Sequence, residues 1–166
     1  MNLSIEELLD NLTEQTKTLI DENSIKKPLI VGIHTGGIWI AERLHRSLGL
    51  SDEIGIIDIS FYRDDFSRLG LNPQVKPSTL PLDITDHDVI LVDDVLYTGR
   101  TVRAALNELF DYGRPASVHL AVLVDRGGRE LPVYAHVAGK RIDLPPNQHV
   151  KLTGPDPLTL EIITTR

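Results

Sequence analysis

Residues 89–101 read VILVDDVLYTGRT. Val89, Ile90, Leu91 and Val92 form an unbroken apolar run of β-favouring residues, the pattern of a strand buried on both faces. Asp93 and Asp94 follow at its carboxyl end, where open α/β sheets bind their ligands. A turn through Val95, Leu96 and Tyr97 then reaches Thr98, Gly99, Arg100 and Thr101. Beyond it Val102, Ala105, Leu106, Leu109 and Phe110 recur at helical spacing, which predicts a helix over 99–112, stopped by Gly113 and Pro115. The start of that helix presents N–H groups without intrahelical partners and the positive end of the dipole, a setting that favours phosphate. Gly99 lets the backbone approach a ligand closely, and the Thr98 and Thr101 hydroxyls can donate to phosphate oxygens. Adjacent carboxylates repel one another unless a ligand, metal or donor offsets them. Acceptors for sugar hydroxyls thus stand beside donors for a phosphate, which suits a ribose 5-phosphate. The stretch is not a Walker P-loop, because it lacks GxxxxGK[ST] and its acids precede the glycine.

Toward the N-terminus, Leu29 to Ile33 is a second apolar run, closed by Gly36-Gly37 and followed by helical periodicity at Ile40, Ala41, Leu44 and Leu48. The chain opens with a further helix, headed by a Ser4/Glu7 capping box and ending near Asn23 and Ser24. Residues 54–62 read as a strand. Residues 63–81 are polar, contain three prolines and predict a mobile loop or exposed hairpin. Val118 to Val124 is the next strand, and shorter β-like pieces around Val133, Val150 and Leu160 suggest a small cap. The order βα, β, βα, β predicts an α/β fold with a mainly parallel sheet and helices on both faces.

With 166 residues, the chain fits one domain over 1–166, with a lid at 62–82 and hood elements over about 126–166. It has no apolar run able to span a bilayer and no signal-peptide pattern, so a cytoplasmic protein without membrane partners is expected. There is no cysteine, which removes disulfide and thiolate chemistry. The net charge of -7 argues against whole-surface attraction to nucleic acid. The six histidines show no i, i+4 pairing and no ligand motif, so no metal site held by the protein alone is expected. Trp39 reads as packing.

VILVDDVLYTGRT resembles the signature that binds 5-phosphoribosyl pyrophosphate (PRPP) in type I phosphoribosyltransferases. DISFYRDD at 58–65, LPLDITD before the signature, TGRTVRAALNEL after it and GRPASVHLAVLVDRGGRELP at 113–132 are similar to the PyrR family of pyrimidine-operon regulators with uracil phosphoribosyltransferase activity. The resemblance implies that Asp93 and Asp94 hold the ribose hydroxyls and stabilise an oxocarbenium-like transition state. It also implies that Val95, Leu96, Tyr97, Thr98, Gly99, Arg100 and Thr101 wrap the 5-phosphate. Thr35 and Gly36 fall in the pyrophosphate loop, Arg63 and Lys76 on the lid, and Arg126 and the backbone near Val150 on the nucleotide side. Magnesium would arrive on PRPP near Asp93 and Asp94. Uracil, UMP and UTP are the implied small-molecule partners, and a homodimer or larger assembly is expected.

Two departures stand out. Gly36 occupies a position where the family commonly has a basic residue. The first helix carries Glu6, Glu7, Asp10, Glu14, Asp21 and Glu22 against Lys17 alone, where RNA-binding relatives carry Arg and His; Gly128 likewise replaces a typical His. Arg129, Lys140 and Arg141 remain as a weak basic cluster, read as a solvated face, and RNA binding is not expected. The alternatives to a uracil phosphoribosyltransferase are a nucleotide-sensing regulator with little turnover and a transferase for another base.

Overall fold

The computed structural model describes residues 3–59, 78–80 and 83–166. Arg63, Lys76 and the expected lid at 62–82, apart from 78–80, lie outside the described residues. Helix α1 (Ile5–Glu22) starts where the Ser4 hydroxyl accepts the Glu7 N–H and ends at Asn23. Strand β1 (Pro28–Ile33) feeds helix α2 (Gly36–Ser47); β2 (Gly55–Ile57) and the two-residue β3 (Ser78–Thr79) follow. Next come β4 (Asp88–Leu96), helix α3 (Arg100–Phe110), β5 (Ser117–Asp125) and β6 (Val137–Arg141). Strands β7 (Gln148–Thr153) and β8 (Thr159–Thr164) close the chain.

The main sheet has the order β3-β2-β1-β4-β5-β6 and is parallel except for the β2–β3 pair. β7 and β8 form a separate antiparallel ribbon. Period-two alternation divides the core. Val89 and Leu91 face α3 with Val31, Ile33 and Val122, against Val102, Ala105 and Leu109. Ile90 and Val92 face α1 and α2 with Ile30 and Leu123, against Leu12, Ile40 and Leu44. Each fully buried Leu or Ile contributes roughly 1.5–3 kcal/mol of transfer free energy, so β4, covered on both faces, is anchored most firmly where it must hold two acids. Among the described residues no helix is long and apolar enough to cross a membrane.

Three expectations change. β4 does not stop at Val92 but continues through both aspartates to Leu96, because its register with β5 runs on to Leu96↔Asp125. Val133 lies in no strand; its N–H bonds locally to the Leu131 carbonyl, and the neighbouring β piece is β6, which joins the main sheet. The strand expected over 54–62 is confined, among the described residues, to Gly55–Ile57.

Candidate active site

β4 ends between the N-termini of two helices. On one side β1 turns through His34 and Thr35 into α2, and the peptide between those two residues is cis. On the other, β4 turns through Tyr97 and Thr98 into α3, whose N-cap is Gly99 at φ 94°, a left-handed conformation that disfavours any residue with a Cβ. A cleft of about 510 Å³ opens between the two turns. Its walls bring together Thr35, Gly36, Asp93, Asp94, Val95, Arg100 and Thr101 from the sequence-predicted set, and add Trp39 from α2 and Leu152 from β7.

Asp93 is 5% exposed, and Oδ1 accepts the Asp94 N–H at 2.8 Å. Asp94 is half-buried, and its Oδ1 accepts the Val95 N–H at 2.8 Å. Burial, and after it the negative charge of Asp94, push the Asp93 carboxyl well above the ordinary carboxylate range. Both acids lie against the start of α2: a methyl group on Gly36 would stand 2.4 Å from Asp94 Oδ2, and one on Gly37 would stand 3.3 Å from Asp93 Oδ1. The glycines therefore let the helix N-terminus, with its partial positive charge, approach the carboxylates. A pair of carboxylates beside two helix N-termini can accept from sugar hydroxyls while the flanking N–H groups face anionic oxygens.

Among the described residues no three His, Asp or Glu side chains cluster closely enough to cage a metal. Two carboxylates are nevertheless the protein share that magnesium takes when substrate phosphates and water complete its octahedron. The donor set fits an ion carried in on a phosphorylated substrate.

Among the described residues, the other members of the predicted set lie around this cleft without lining it. Leu96 is buried in the core on the α3 side. The Thr98 hydroxyl accepts the Arg100 N–H at 3.2 Å. The Tyr97 ring lies under the Arg126 guanidinium, 3.7 Å from ring centroid to Cζ, and meets His149 edge-on at 6.5 Å. Arg126 is 2% exposed; Nη1 donates to the Gln148 carbonyl and Nη2 to the carbonyls of Leu144 and Pro145. It ties the β7–β8 ribbon to the end of β5. Val150, in β7, packs on the core face shared by α1 and α2, and Gly154 rests on the Trp39 ring.

In the basic cluster near 129–141, Arg129 is drawn inward while Arg141 stays exposed. Arg129 and Arg141 both pair with the buried Asp125, at 2.6 and 2.8 Å. Burial works to raise the Asp125 carboxyl, but the Arg129 hydrogen bond, the Gly127 N–H and the two guanidinium charges outweigh it and hold it below its ordinary value. Nothing in the spacing of Asp125 announces this. The i, i+4 relation to Arg129 is a weak hint, and Arg141 arrives only through the β5–β6 register. His119 and His136, remote in sequence, also meet with ring centroids 4.9 Å apart.

The phosphoribosyl transferase domain model matches residues 3–151. A Bifunctional protein PyrR from Nitrosococcus oceani is 57% identical over 164 residues, covering 98% of this chain and 93% of that protein. Its namesake from Pseudomonas aeruginosa is 54% identical over 155 residues, covering 93% and 91%. Among solved structures, a hypoxanthine-guanine phosphoribosyltransferase from Bacillus anthracis superposes with a TM-score of 0.68 at 21% identity, covering 85% of this chain and 82% of that one. The hypoxanthine phosphoribosyltransferase of Trypanosoma cruzi gives 0.67 at 21% identity, covering 98% and 95%. These two establish likeness of fold; the two sequence relatives and the domain match go further. The chain belongs to the phosphoribosyltransferase family and, within it, to the PyrR proteins.

Proposed function

We propose that the protein transfers the phosphoribosyl group of PRPP to uracil, giving UMP and pyrophosphate, and takes part in regulating genes of pyrimidine nucleotide biosynthesis. The observation that carries the reaction is the pair Asp93 and Asp94 set between the N-termini of α2 and α3. The choice of uracil rests on the PyrR relatives.

PRPP lies with its 5-phosphate on the 97–101 turn, its ribose hydroxyls on the two aspartates and its pyrophosphate toward Thr35 and Gly36. Asp93 and Asp94 would supply the protein's share of the ligands to a magnesium ion carried on PRPP, which would offset pyrophosphate charge. The C1–O bond breaks with its electron pair leaving on pyrophosphate. Uracil N1 supplies the pair for the new C1–N1 bond, and its proton passes to the departing pyrophosphate. Positive charge developing on the ribose relieves the unfavourable ionisation of buried Asp93 and its repulsion by Asp94. That relief is greater in the transition state than in the ground state, which is what accelerates a reaction.

Residues 1–166 act as one domain, with β7–β8 as a hood over the base. The cysteine-free sequence suits the cytoplasm. A homodimer or larger assembly is supported by Phe110 and Tyr134, 53% and 67% exposed, flanking an apolar groove of about 400 Å³. The deciding experiment is UMP formation from uracil, PRPP and magnesium, with hypoxanthine and guanine as competing bases and UMP binding measured on the same preparation. UMP production is expected. Turnover of a purine instead would overturn the base assignment, and UMP binding without turnover would leave a nucleotide sensor, the reading that the uncharged Gly36 favours.

A further inference from the structure

The turn assigned to the 5-phosphate is held from behind. Three consecutive carbonyls, those of Leu96, Tyr97 and Thr98, are all captured by the segment that follows β5. The Arg126 N–H donates to Leu96 O at 3.1 Å, and the N–H groups of Glu130 and Leu131 donate to Thr98 O at 2.9 and 3.1 Å. Between them, Arg129 Nη1 donates to Tyr97 O at 2.7 Å. The carbonyl and N–H of a trans peptide point in opposite directions. Turning these carbonyls toward β5 therefore turns the N–H groups of Tyr97, Thr98 and Gly99 away from it, as anion capture at a helix N-terminus requires.

Arg129 is the single side chain in this arrangement, and its orientation is fully specified. Nε donates to Val133 O at 2.8 Å and Nη2 to Asp125 Oδ1 at 2.6 Å, so each face of the guanidinium fork has its own acceptor. Asp125 is fixed in turn: Oδ2 accepts from Arg141 Nη1 at 2.8 Å, Arg141 Nη2 is anchored on Ala135 O, and the Gly127 N–H reaches Oδ1 at 3.2 Å. The charge of Arg129 faces Asp125, and two further N–H groups go to the carbonyls of Tyr97 and Val133.

We infer that Arg129, oriented by Asp125, is a positioning residue that holds the 97–99 backbone with its N–H groups outward for a ribose 5-phosphate, without touching the ligand. The inference rests on the assignment of this turn to the 5-phosphate. Lysine in its place would keep a charge facing Asp125 but could not serve Asp125, Tyr97 and Val133 with one planar fork.

Arg129→Met and Arg129→Lys test it. Replacing a charge-assisted hydrogen bond to a binding loop is expected to cost on the order of tenfold in affinity. KM for PRPP and Kd for UMP should rise by that factor in Arg129→Met and by a smaller one in Arg129→Lys. The inhibition constant of pyrophosphate, which uses the other turn, should stay within about threefold, because the effect is local. Hydrogen exchange at 97–101 should be slowed by UMP in the parent protein and less so in the variants. Unchanged UMP affinity in both variants, or equal losses for UMP and pyrophosphate, overturns the role of Arg129. Failure of UMP to protect 97–101 in the parent protein overturns the phosphate assignment instead. Should Arg129→Met not fold, Arg129→Lys carries the same comparison.

Discussion

Gly36 packs directly on Asp94: the position that a Cβ would take lies 2.4 Å from Asp94 Oδ2 and 2.8 Å from its Cγ. Any side chain at 36 must displace a carboxylate that faces the cleft. The nearest atom is the end of a side chain that can move, so the cost falls on the geometry of a reacting group more than on stability. Gly36→Ala is expected to lower kcat/KM for PRPP by about tenfold with the melting temperature nearly unchanged. Gly36→Lys, which introduces the basic residue common in the family, should not raise activity, because its side chain also displaces Asp94. Steady-state kinetics on the two variants check this, and a gain in kcat/KM with lysine would contradict the contact.

Asp93→Asn and Asp94→Asn should each abolish measurable turnover while the chain still folds. Burial and the neighbouring Asp94 raise the native Asp93 value above its unfolded one, so the native state holds that proton more tightly. Its contribution is fully present below the unfolded value and is lost as pH rises through the raised native value. Asp93→Asn should therefore melt higher than the parent at about pH 8, with the difference closing toward about pH 4. A constant difference across that range would remove the buried carboxyl as its cause.

Arg126 gives the ribbon β7–β8 its attachment. With the side chain 2% exposed and donating to three carbonyls, Arg126→Met takes the side-chain donor from Gln148 O and Leu144 O in a partly buried setting, while Pro145 O keeps the Gln148 N–H. A loss of about 3 kcal/mol or more in unfolding free energy is expected, since hydrogen bonds to a charged group contribute about 1.5–3 kcal/mol each. Exchange should accelerate first across Gln148–Thr153. Denaturant melts and residue-level hydrogen exchange measure both; a variant that loses nucleotide affinity at parental stability would make Arg126 a ligand contact instead.

The strand, the acids, the threonines and the following helix were legible because each announces itself locally, through an apolar run, a charge pair, turn chemistry and helical spacing. What escaped local reading depends on register. Asp93 and Asp94 remain within β4 because β5 continues beside them as far as Asp125, and no property of residues 93–96 alone shows that. Val133 has the side chain of a strand residue, yet its N–H is taken by Leu131. Arg129 and Arg141 read as surface charge until the turn after β5 sets Arg129 on Asp125 and the pairing of β5 with β6 brings Arg141 to the same carboxylate.

That pairing also bears on nucleic acid. The six acidic side chains of α1 are exposed, and Arg43, a cation near them, is bound to Glu6 at 2.9 Å. Of the three cations in the 129–141 cluster, Arg129 and Arg141 share the single negative charge of Asp125. Phosphate contacts supply most of the affinity of a protein for RNA and make it fall with salt, and here the exposed acids of α1 repel phosphate while Asp125 takes up part of the charge of the other cluster. A pyrimidine-operon leader RNA should bind no better than an unrelated RNA of equal length, whether at about 50 mM or about 200 mM salt. Filter binding at both concentrations decides the matter. Tight binding that favours the leader and weakens steeply with salt would mean that a basic surface exists which neither α1 nor the Asp125 cluster supplies.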